Sequence, residues 1–361
     1  MGLKKPAVRH VAVLGLGNVG SLVADMLASE GFDVVGADAN GHAGPGSIRL
    51  DVEDRAALGE LLDGVDAVVS CLPYRCNARL AELAAARGVH YLDLTEDVPT
   101  SRVIQRLAAD APAALIPHCG LAPGYICILG GDMERRFDAV DRLALRVGAL
   151  PAAPNTELGY AFTWSAAGVV NEYLNACDAL DDGRIVSIAP LSEVERVVVE
   201  GRPYEAFTTS GGLATMCETF EGKVRRLDYK TIRYPGHCAL MRFLLQELRL
   251  GRDRANAERL LSDAYPPVED DVVVVYAAAE GELNGRPARQ ELTRLHRPRV
   301  IGGLRRTAIA WTTAAGAVGV LQLLAGGELP RRGLVRQEDI PLDAFLATPA
   351  GSLLDAAAED H

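Results

Sequence analysis

The chain has 361 residues, 49% of them hydrophobic and 24% charged, with a formal net charge of −11. That length exceeds what one core normally holds and predicts two domains of an ordinary globular protein. An acidic chain with no basic stripe and only 5% aromatic residues argues against nucleic-acid binding.

In chain order, apolar runs at Val11–Leu14, Phe32–Ala37, Ala67–Ser70, His90–Leu94 and Ala114–His118 alternate with helical stretches at Ser21–Ser29, Arg55–Leu62, Ala78–Arg87 and Arg102–Ala108. This is the rhythm of an α/β fold, a Rossmann-type doubly wound parallel sheet. Between the first run and the first helix lies Gly15-Leu16-Gly17-Asn18-Val19-Gly20. Gly15 permits a tight turn, Gly17 a close backbone approach to a pyrophosphate, and Gly20 packing of the helix on the strand. Asp38 closes the next run, where a carboxylate accepts hydrogen bonds from ribose hydroxyls and repels a 2′-phosphate. The expected cofactor is therefore NAD, held by Gly15, Gly17, Asn18, Val19, Gly20 and Asp38. Asp51 is placed for a second adenosine-side contact.

Ligands of such sheets lie beyond the carboxyl ends of the strands. Three strand ends are therefore expected near the cofactor: Ser70-Cys71-Leu72-Pro73-Tyr74, Asp93-Leu94-Thr95-Glu96-Asp97 and Pro117-His118-Cys119-Gly120-Leu121-Ala122-Pro123-Gly124. Cys71, Leu72, Pro73 and Gly120 are taken as cofactor contacts. Nothing nearby would lower the thiol pKa of Cys71 or Cys119, so both read as small packing residues. Glu96 and Asp97 are paired acids at a strand end, although Asp97 also suits a helix N-cap.

After about residue 124 the rhythm changes. A helix at Tyr125–Arg135, a strand at Leu143–Val147 and a helix at Ala166–Ala176 lead into short strands at Arg184–Ile188, Arg196–Val199 and Glu205–Phe207. A strand at Val224–Ile232 and a helix at Cys238–Leu248 follow. Val272–Ala278 and Ala288–Arg294 read as a hairpin joined through Asn284-Gly285. The second domain is thus expected to be α+β with a mixed or largely antiparallel sheet. It is expected to pack closely on the first, with a cleft between them.

The stretch 308–325 is long enough to span a membrane. Its threonines, glycines and Gln322 instead favour a buried helix, the final one, expected over Leu304–Leu324, and the end after Pro341 reads as an acidic, poorly structured tail. No signal peptide is evident, Lys4 and Lys5 preceding only the first strand. Seven scattered cysteines, none in a CxxC pair, suit a reduced, cytoplasmic setting, and no Cys/His spacing suggests a metal site.

Three polar segments of the second domain can carry chemistry. They are Phe162-Thr163-Trp164-Ser165 followed by Asn171-Glu172-Tyr173, then Phe207-Thr208-Thr209-Ser210-Gly211-Gly212, then Thr231-Ile232-Arg233-Tyr234-Pro235-Gly236-His237. The hydroxyls of Thr208, Thr209 and Ser210 can bind a carboxylate. Arg233 can pair with one in two-point fashion, and His237 can titrate near neutrality. Each also has a plain reading: Arg233 as a salt-bridge partner, His237 as a helix cap, the Thr-Thr-Ser-Gly-Gly run as a turn, Trp164 as core filler.

The glycine fingerprint, Leu92-Asp93-Leu94-Thr95-Glu96-Asp97-Val98, Cys119-Gly120-Leu121-Ala122-Pro123-Gly124, Phe162-Thr163-Trp164-Ser165, Pro190-Leu191-Ser192-Glu193-Val194-Glu195 and Thr231-Ile232-Arg233-Tyr234-Pro235-Gly236-His237 make the chain resemble the saccharopine dehydrogenase-like family, most closely its lysine 6-dehydrogenase branch. The likeness runs from near residue 10 to about 346. It implies NAD-dependent oxidation of the ε-carbon of L-lysine to allysine with release of ammonia, the allysine then cyclising to a piperideine carboxylate. It also implies that the last helix returns to the dinucleotide domain, giving domains at 1–123 with 305–361 and at 124–304. The implied partners are a small amine substrate and further copies of the chain, a dimer being the guess, with no nucleic acid and no membrane. On this reading Glu96 or Asp97 deprotonates the amine, Arg233 with Thr208–Gly212 holds the α-carboxylate, Trp164 lines the site, and His237 assists there or acts on water. Saccharopine or carboxynorspermidine-type enzymes, which handle a secondary amine, are the alternative within the family, and a non-catalytic NAD-binding regulator the alternative outside it. A single good arginine, with Arg242 as a second candidate, favours the smaller substrate.

Overall fold

The computed structural model describes residues 8–41 and 46–355. Lys4, Lys5 and the last six residues of the expected tail lie outside this range. The described chain divides into two compact units.

The first unit comprises residues up to 95, 99–120 and 312–355. Its strands are β1 (His10–Leu14), β2 (Asp33–Asp38), β3 (Ser47–Arg49), β4 (Ala67–Ser70), β5 (His90–Asp93) and β6 (Ala114–Ile116), joined by Gly333–Leu334 from far along the chain. They form one seven-stranded sheet in the order Gly333–Leu334, β6, β5, β4, β1, β2, β3. Every pairing is parallel. Order and direction are those of a doubly wound dinucleotide-binding sheet. Val11–Leu14 and Ala67–Ser70 are fully buried, as expected for central strands covered on both faces. Helices α1 (Asn18–Ser29), α2 (Arg55–Asp63), α3 (Asn77–Arg87) and α4 (Val98–Ala108) connect the strands. Asp54 caps α2 by accepting the Ala56 and Ala57 N–H groups.

The end of the chain departs from expectation. Residues 304–306 form a short strand paired with Arg299–Ile301, and the long helix runs Ala308–Gly326. It is apolar enough to cross a membrane by length and composition, and 78% of its 18-residue apolar window is buried inside the protein. Residues 342–355 are not loose: they contain helices Leu342–Ala347 and Ser352–Asp355. Phe345, fully buried, anchors them. A Cβ at Gly319 of the long helix would fall 2.7 Å from the Phe345 ring. A single aromatic seated on a glycine leaves little periodic signal, so composition alone misread this segment as a tail.

The second unit comprises residues 96–98 and 121–311. Helix α5 (Tyr125–Arg136) precedes the long strand β7 (Ala139–Pro151). Next come α6 (Ala166–Leu174), β8 (Cys177–Asp181), β9 (Arg184–Ile188), β10 (Glu195–Val199), β11 (Arg202–Thr208), α7 (Met216–Phe220), β12 (Val224–Arg233), α8 (His237–Arg242), α9 (Arg254–Ala264), β13 (Asp271–Leu283) and β14 (Arg286–His296). The sheet runs β10-β11-β12-β7-β13-β14, with β8 pairing β12 and β9. It is mixed, because β12 and β7 run parallel while the other pairs are antiparallel. The Asn284-Gly285 hairpin is present. Both residues have positive φ, 53° and 70°, as a two-residue turn matched to strand twist requires. The helix expected over 238–248 is interrupted: after α8 the backbone widens to a π-turn at Phe243–Glu247.

Candidate functional site

In the first unit the glycine loop is built as its sequence suggests, and three glycines have three separate reasons. Gly15 has φ +88°, and a Cβ there would fall 2.8 Å from the Cys71 carbonyl oxygen. A Cβ on Gly20 would fall 1.8 Å from the Gly15 carbonyl oxygen and 3.0 Å from the Cys71 Cβ. Gly17 differs: a Cβ there meets nothing within 4 Å. It is exposed at the amino end of α1, which has no side-chain cap. Open space beside free N–H groups at a helix start is where a pyrophosphate fits. Asn18 is exposed and Val19 half-buried on the first turn of the helix.

Asp38 ends β2. Its carboxylate accepts the Leu16 N–H at 3.0 Å and the Asn40 N–H at 2.9 Å, which fixes it beside the glycine loop. Cys71 and Leu72 pack against that loop, the Leu72 side chain lying 3.2 Å from a Cβ at Gly15. Burial, with Asp93 adding to it, pushes the Cys71 thiol up to about 12, so it stays a packing thiol. Pro73 is exposed and opens the short 3-10 turn Tyr74–Cys76. Asp51 is exposed and accepts the Glu53 N–H at 2.9 Å, leading the chain into α2. Gly120 presents its carbonyl to the long helix, 2.6 Å from where a Gly316 Cβ would lie. All seven cysteines are free, and no cluster suited to a metal occurs among the described residues.

The second unit gathers a set of ionisable groups around α6. Ser165 caps this helix by accepting the Gly168 N–H at 3.0 Å. Gly168 is glycine because a Cβ would lie 2.5 Å from the Trp164 ring and 2.9 Å from Glu96 Oε1. Gly211 serves the same end from β11's exit turn, since a Cβ there would lie 2.2 Å from the Glu96 carbonyl oxygen. Glu172 stands one turn beyond Gly168 on the same face of α6. It is 7% exposed. Burial first, then the like charge of Glu96, pushes its carboxyl well above the usual range, with Arg233 opposing. The Ser210 N–H donates to its backbone carbonyl at 3.1 Å. Asp97, also buried, accepts the Asn171 amide at 3.1 Å. Asn171 is oriented in turn by Arg254, whose guanidinium donates to its Oδ1 at 2.7 Å.

Arg233 is 2% exposed at the end of β12. Its Nε–H donates to the Tyr173 hydroxyl at 3.0 Å and its Nη1 to the Ile232 carbonyl at 2.8 Å. Its guanidinium lies over the Tyr160 ring. Its remaining N–H groups have no hydrogen-bond or ion-pair partner among the described residues. The salt-bridge reading of Arg233 is therefore not what the structure contains. Two further buried polar atoms in these segments, Thr163 Oγ1 and Thr209 Oγ1, are also without partners among the described residues. Unsatisfied buried groups are where a polar ligand completes the bonding.

His237 departs from expectation. It starts α8 but is 1% exposed, and its ring does not titrate near neutrality: burial first, then the Arg233 charge, holds it down at about 3. Its Nδ1 contacts the Leu158 carbonyl at 3.0 Å and its Nε2 the Tyr173 hydroxyl at 3.0 Å. A carbonyl only accepts, so Nδ1 carries the proton and Nε2 accepts the Tyr173 O–H. The neutral ring thus orients Tyr173, which orients Arg233. Thr208 also departs: its hydroxyl donates to the Ala189 carbonyl at 2.7 Å and receives the Ser192 N–H at 3.1 Å, so it is committed to that turn. Trp164 is half-buried, donating its indole N–H to the Tyr160 hydroxyl at 3.2 Å. The structure thus brings together Glu96, Asp97, Trp164, Thr209, Ser210, Arg233 and His237 within the second unit. It adds Tyr160, and gives particular places to Asn171, Glu172 and Tyr173, which the sequence marks only as part of a polar segment without individual roles.

Residues 120–355 match the saccharopine dehydrogenase C-terminal domain and residues 11–115 the saccharopine dehydrogenase NADP binding domain. The chain is 28% identical over 200 residues to a saccharopine dehydrogenase (NADP+, L-glutamate-forming) of Pyricularia oryzae, covering 51% of this chain and 44% of that protein. It is 27% identical over 224 residues to the Saccharomyces cerevisiae protein of the same description, covering 58% and 49%. The matched segments thus span less than half the length of these two relatives. The fold is similar to that of the apo saccharopine dehydrogenase (L-Glu forming) from Saccharomyces cerevisiae, with a TM-score of 0.72 at 18% identity, over 94% of this chain and 97% of that one. With both of its units matched, the chain belongs to the saccharopine dehydrogenase family.

Proposed function

We propose that this protein is an NAD-dependent amino-acid dehydrogenase that oxidises the ε-carbon of L-lysine, hydride passing to NAD and water then attacking the iminium to give allysine and ammonia. The observation that carries this reading is Arg233, a buried guanidinium with an unpartnered edge near Glu172, which in turn neighbours Glu96. One fixed cation among several carboxyls matches a substrate with one carboxylate and a cationic amine better than a substrate with several carboxylates.

A bound nicotinamide dinucleotide supplies the hydride acceptor. The residues of this chain manage the rest. A lysine amine has a pKa near 10.4 and must lose its proton before its carbon can give up hydride. Glu96, half-buried beside Trp164 and Gly168, takes up that proton, and Asp97, held by Asn171, orients the nitrogen. Arg233 holds the α-carboxylate in two-point fashion. Asp38 supports NAD over NADP, because a carboxylate at the end of β2 repels a 2′-phosphate.

Mixing the purified protein with NAD and L-lysine at alkaline pH should raise NADH absorbance. Replacing Glu96 and Asp97 together by their amides should abolish most turnover; little loss would remove them as the proton acceptors. The descriptions of the curated relatives favour a second reading, a saccharopine-type secondary amine. Turnover of saccharopine but not lysine, in a panel with both cofactors, would replace the lysine reading with that one.

A further inference from the structure

The proposed reaction uses Glu96, Asp97 and Arg233 and leaves Glu172 without a task. Yet Glu172 is an unusual residue to bury. It sits on a helix whose other side chains, from Ala166 to Leu174, are mostly apolar. It is 93% buried by its 7% exposure, and its carboxyl makes no hydrogen bond or ion pair with another described residue. A carboxyl in that state is costly, and nothing in the packing of α6 calls for it. A glutamine or a leucine would fill the same volume at lower cost.

Its neighbours define what would satisfy it. Tyr173, the next residue on α6, holds Arg233 by its Nε–H, so Glu172 and the Arg233 guanidinium are presented from one short segment and feel each other's charge. Glu96 lies one turn back, over Gly168. Arg233 and Glu172 are thus a neighbouring guanidinium and carboxyl that do not pair with each other, both with unused bonding capacity. The complement of such a couple is a group carrying a carboxylate and an ammonium on the same carbon.

We propose that Glu172 and Arg233 together form the receptor for the α-amino-acid head group of the substrate, Arg233 taking the carboxylate and Glu172 the α-ammonium. This assignment rests on the amino-acid dehydrogenase reading and extends it: Glu172 becomes a specificity residue that does not touch the reacting nitrogen. The α-ammonium supplies the positive charge that would stabilise the ionised carboxyl against burial and Glu96. Glu96 and Asp97 are left for the distant amine. The unpartnered hydroxyls of Thr163 and Thr209 supply further polar lining to the same segments.

The test compares L-lysine with 6-aminohexanoate, which keeps the carboxylate and the terminal amine but lacks the α-amino group. Initial rates and calorimetric affinities are measured for the wild-type protein and for Glu172→Gln and Glu172→Asp, each checked for an unchanged melting profile. The wild-type protein should prefer lysine by tenfold or more in kcat/KM, as one charge-assisted contact provides. Glu172→Gln should erase most of that preference, chiefly through KM, and Glu172→Asp should restore part of it. Equal loss on both compounds, or a wild-type protein indifferent to the α-amino group, overturns the assignment and leaves the dehydrogenase reading intact. A wild-type protein that neither oxidises nor binds either compound overturns both.

Discussion

The guanidinium of Arg233 lies 4.6 Å above the ring centroid of Tyr160. An aromatic ring covers one face of the cation and the Tyr173 hydroxyl occupies its Nε–H, so what is left is the edge suited to a carboxylate. Replacing Arg233 by glutamine should lower kcat/KM on the amino-acid substrate by about 30- to 100-fold, the equivalent of about 2–3 kcal/mol for a charge-assisted contact. Steady-state kinetics checks this.

Gly17 and Gly20 should respond differently to the same substitution. Gly20→Ala places a methyl 1.8 Å from the Gly15 carbonyl oxygen and should destabilise the protein. Gly17→Ala meets no atom within 4 Å and should leave the melting temperature unchanged, while weakening dinucleotide affinity by about tenfold or more through lost backbone approach. Thermal melts alongside cofactor titrations separate the two effects.

Asp38 should set cofactor choice. Asp38→Ser removes the charge that opposes a 2′-phosphate and exposes the site to Arg49, whose Nε–H is tied to the Ala39 carbonyl at 3.0 Å. The ratio of kcat/KM for NAD over NADP should fall by about 10- to 100-fold, as expected for one like-charge contact of about 1.4–2.8 kcal/mol. An unchanged ratio would move the selectivity to another residue.

The depressed His237 pKa has a definite sign in stability. In the unfolded chain the imidazole takes a proton near 6.5, whereas in the fold it resists protonation down to about 3. Between those values the unfolded state holds more protons, so the stability contributed by the neutral ring is present above about 6.5 and is lost as pH falls. The loss from pH 7 to pH 5 should be about 2 kcal/mol from this residue. His296, held at about 4 mainly by burial, acts in the same direction. Urea unfolding at the two pH values should show the loss in the wild-type protein and a smaller one in His237→Gln.

The dinucleotide unit was legible because its signals are local. Gly15, Gly17, Gly20 and Asp38 act through the backbone within a few residues of themselves, and the Asn284-Gly285 turn likewise announces its own hairpin. Much of the substrate unit was visible as polar segments, but their roles were not. Whether His237 titrates depends on its burial and the Arg233 charge, and its ring is held by Tyr173 and Leu158, which are 64 and 79 residues away in the chain. Whether Thr208 is available depends on Ala189 and Ser192, and whether Arg233 has a partner depends on every acid around it. Glu172 was visible as part of the Asn171-Glu172-Tyr173 segment, but its burial beside Glu96 depends on a strand end 76 residues earlier.

The path from Leu158 through His237 and Tyr173 to Arg233 also makes the imidazole a reporter. With its proton pinned on Nδ1, His237 occupies the tautomer less favoured by free histidine, which nitrogen-15 chemical shifts distinguish without altering the protein. An anion arriving at the far edge of Arg233 would redistribute charge along the same three bonds. Occupancy of the pocket could then be followed from a ring that never meets the ligand, even for a compound that is bound and not turned over.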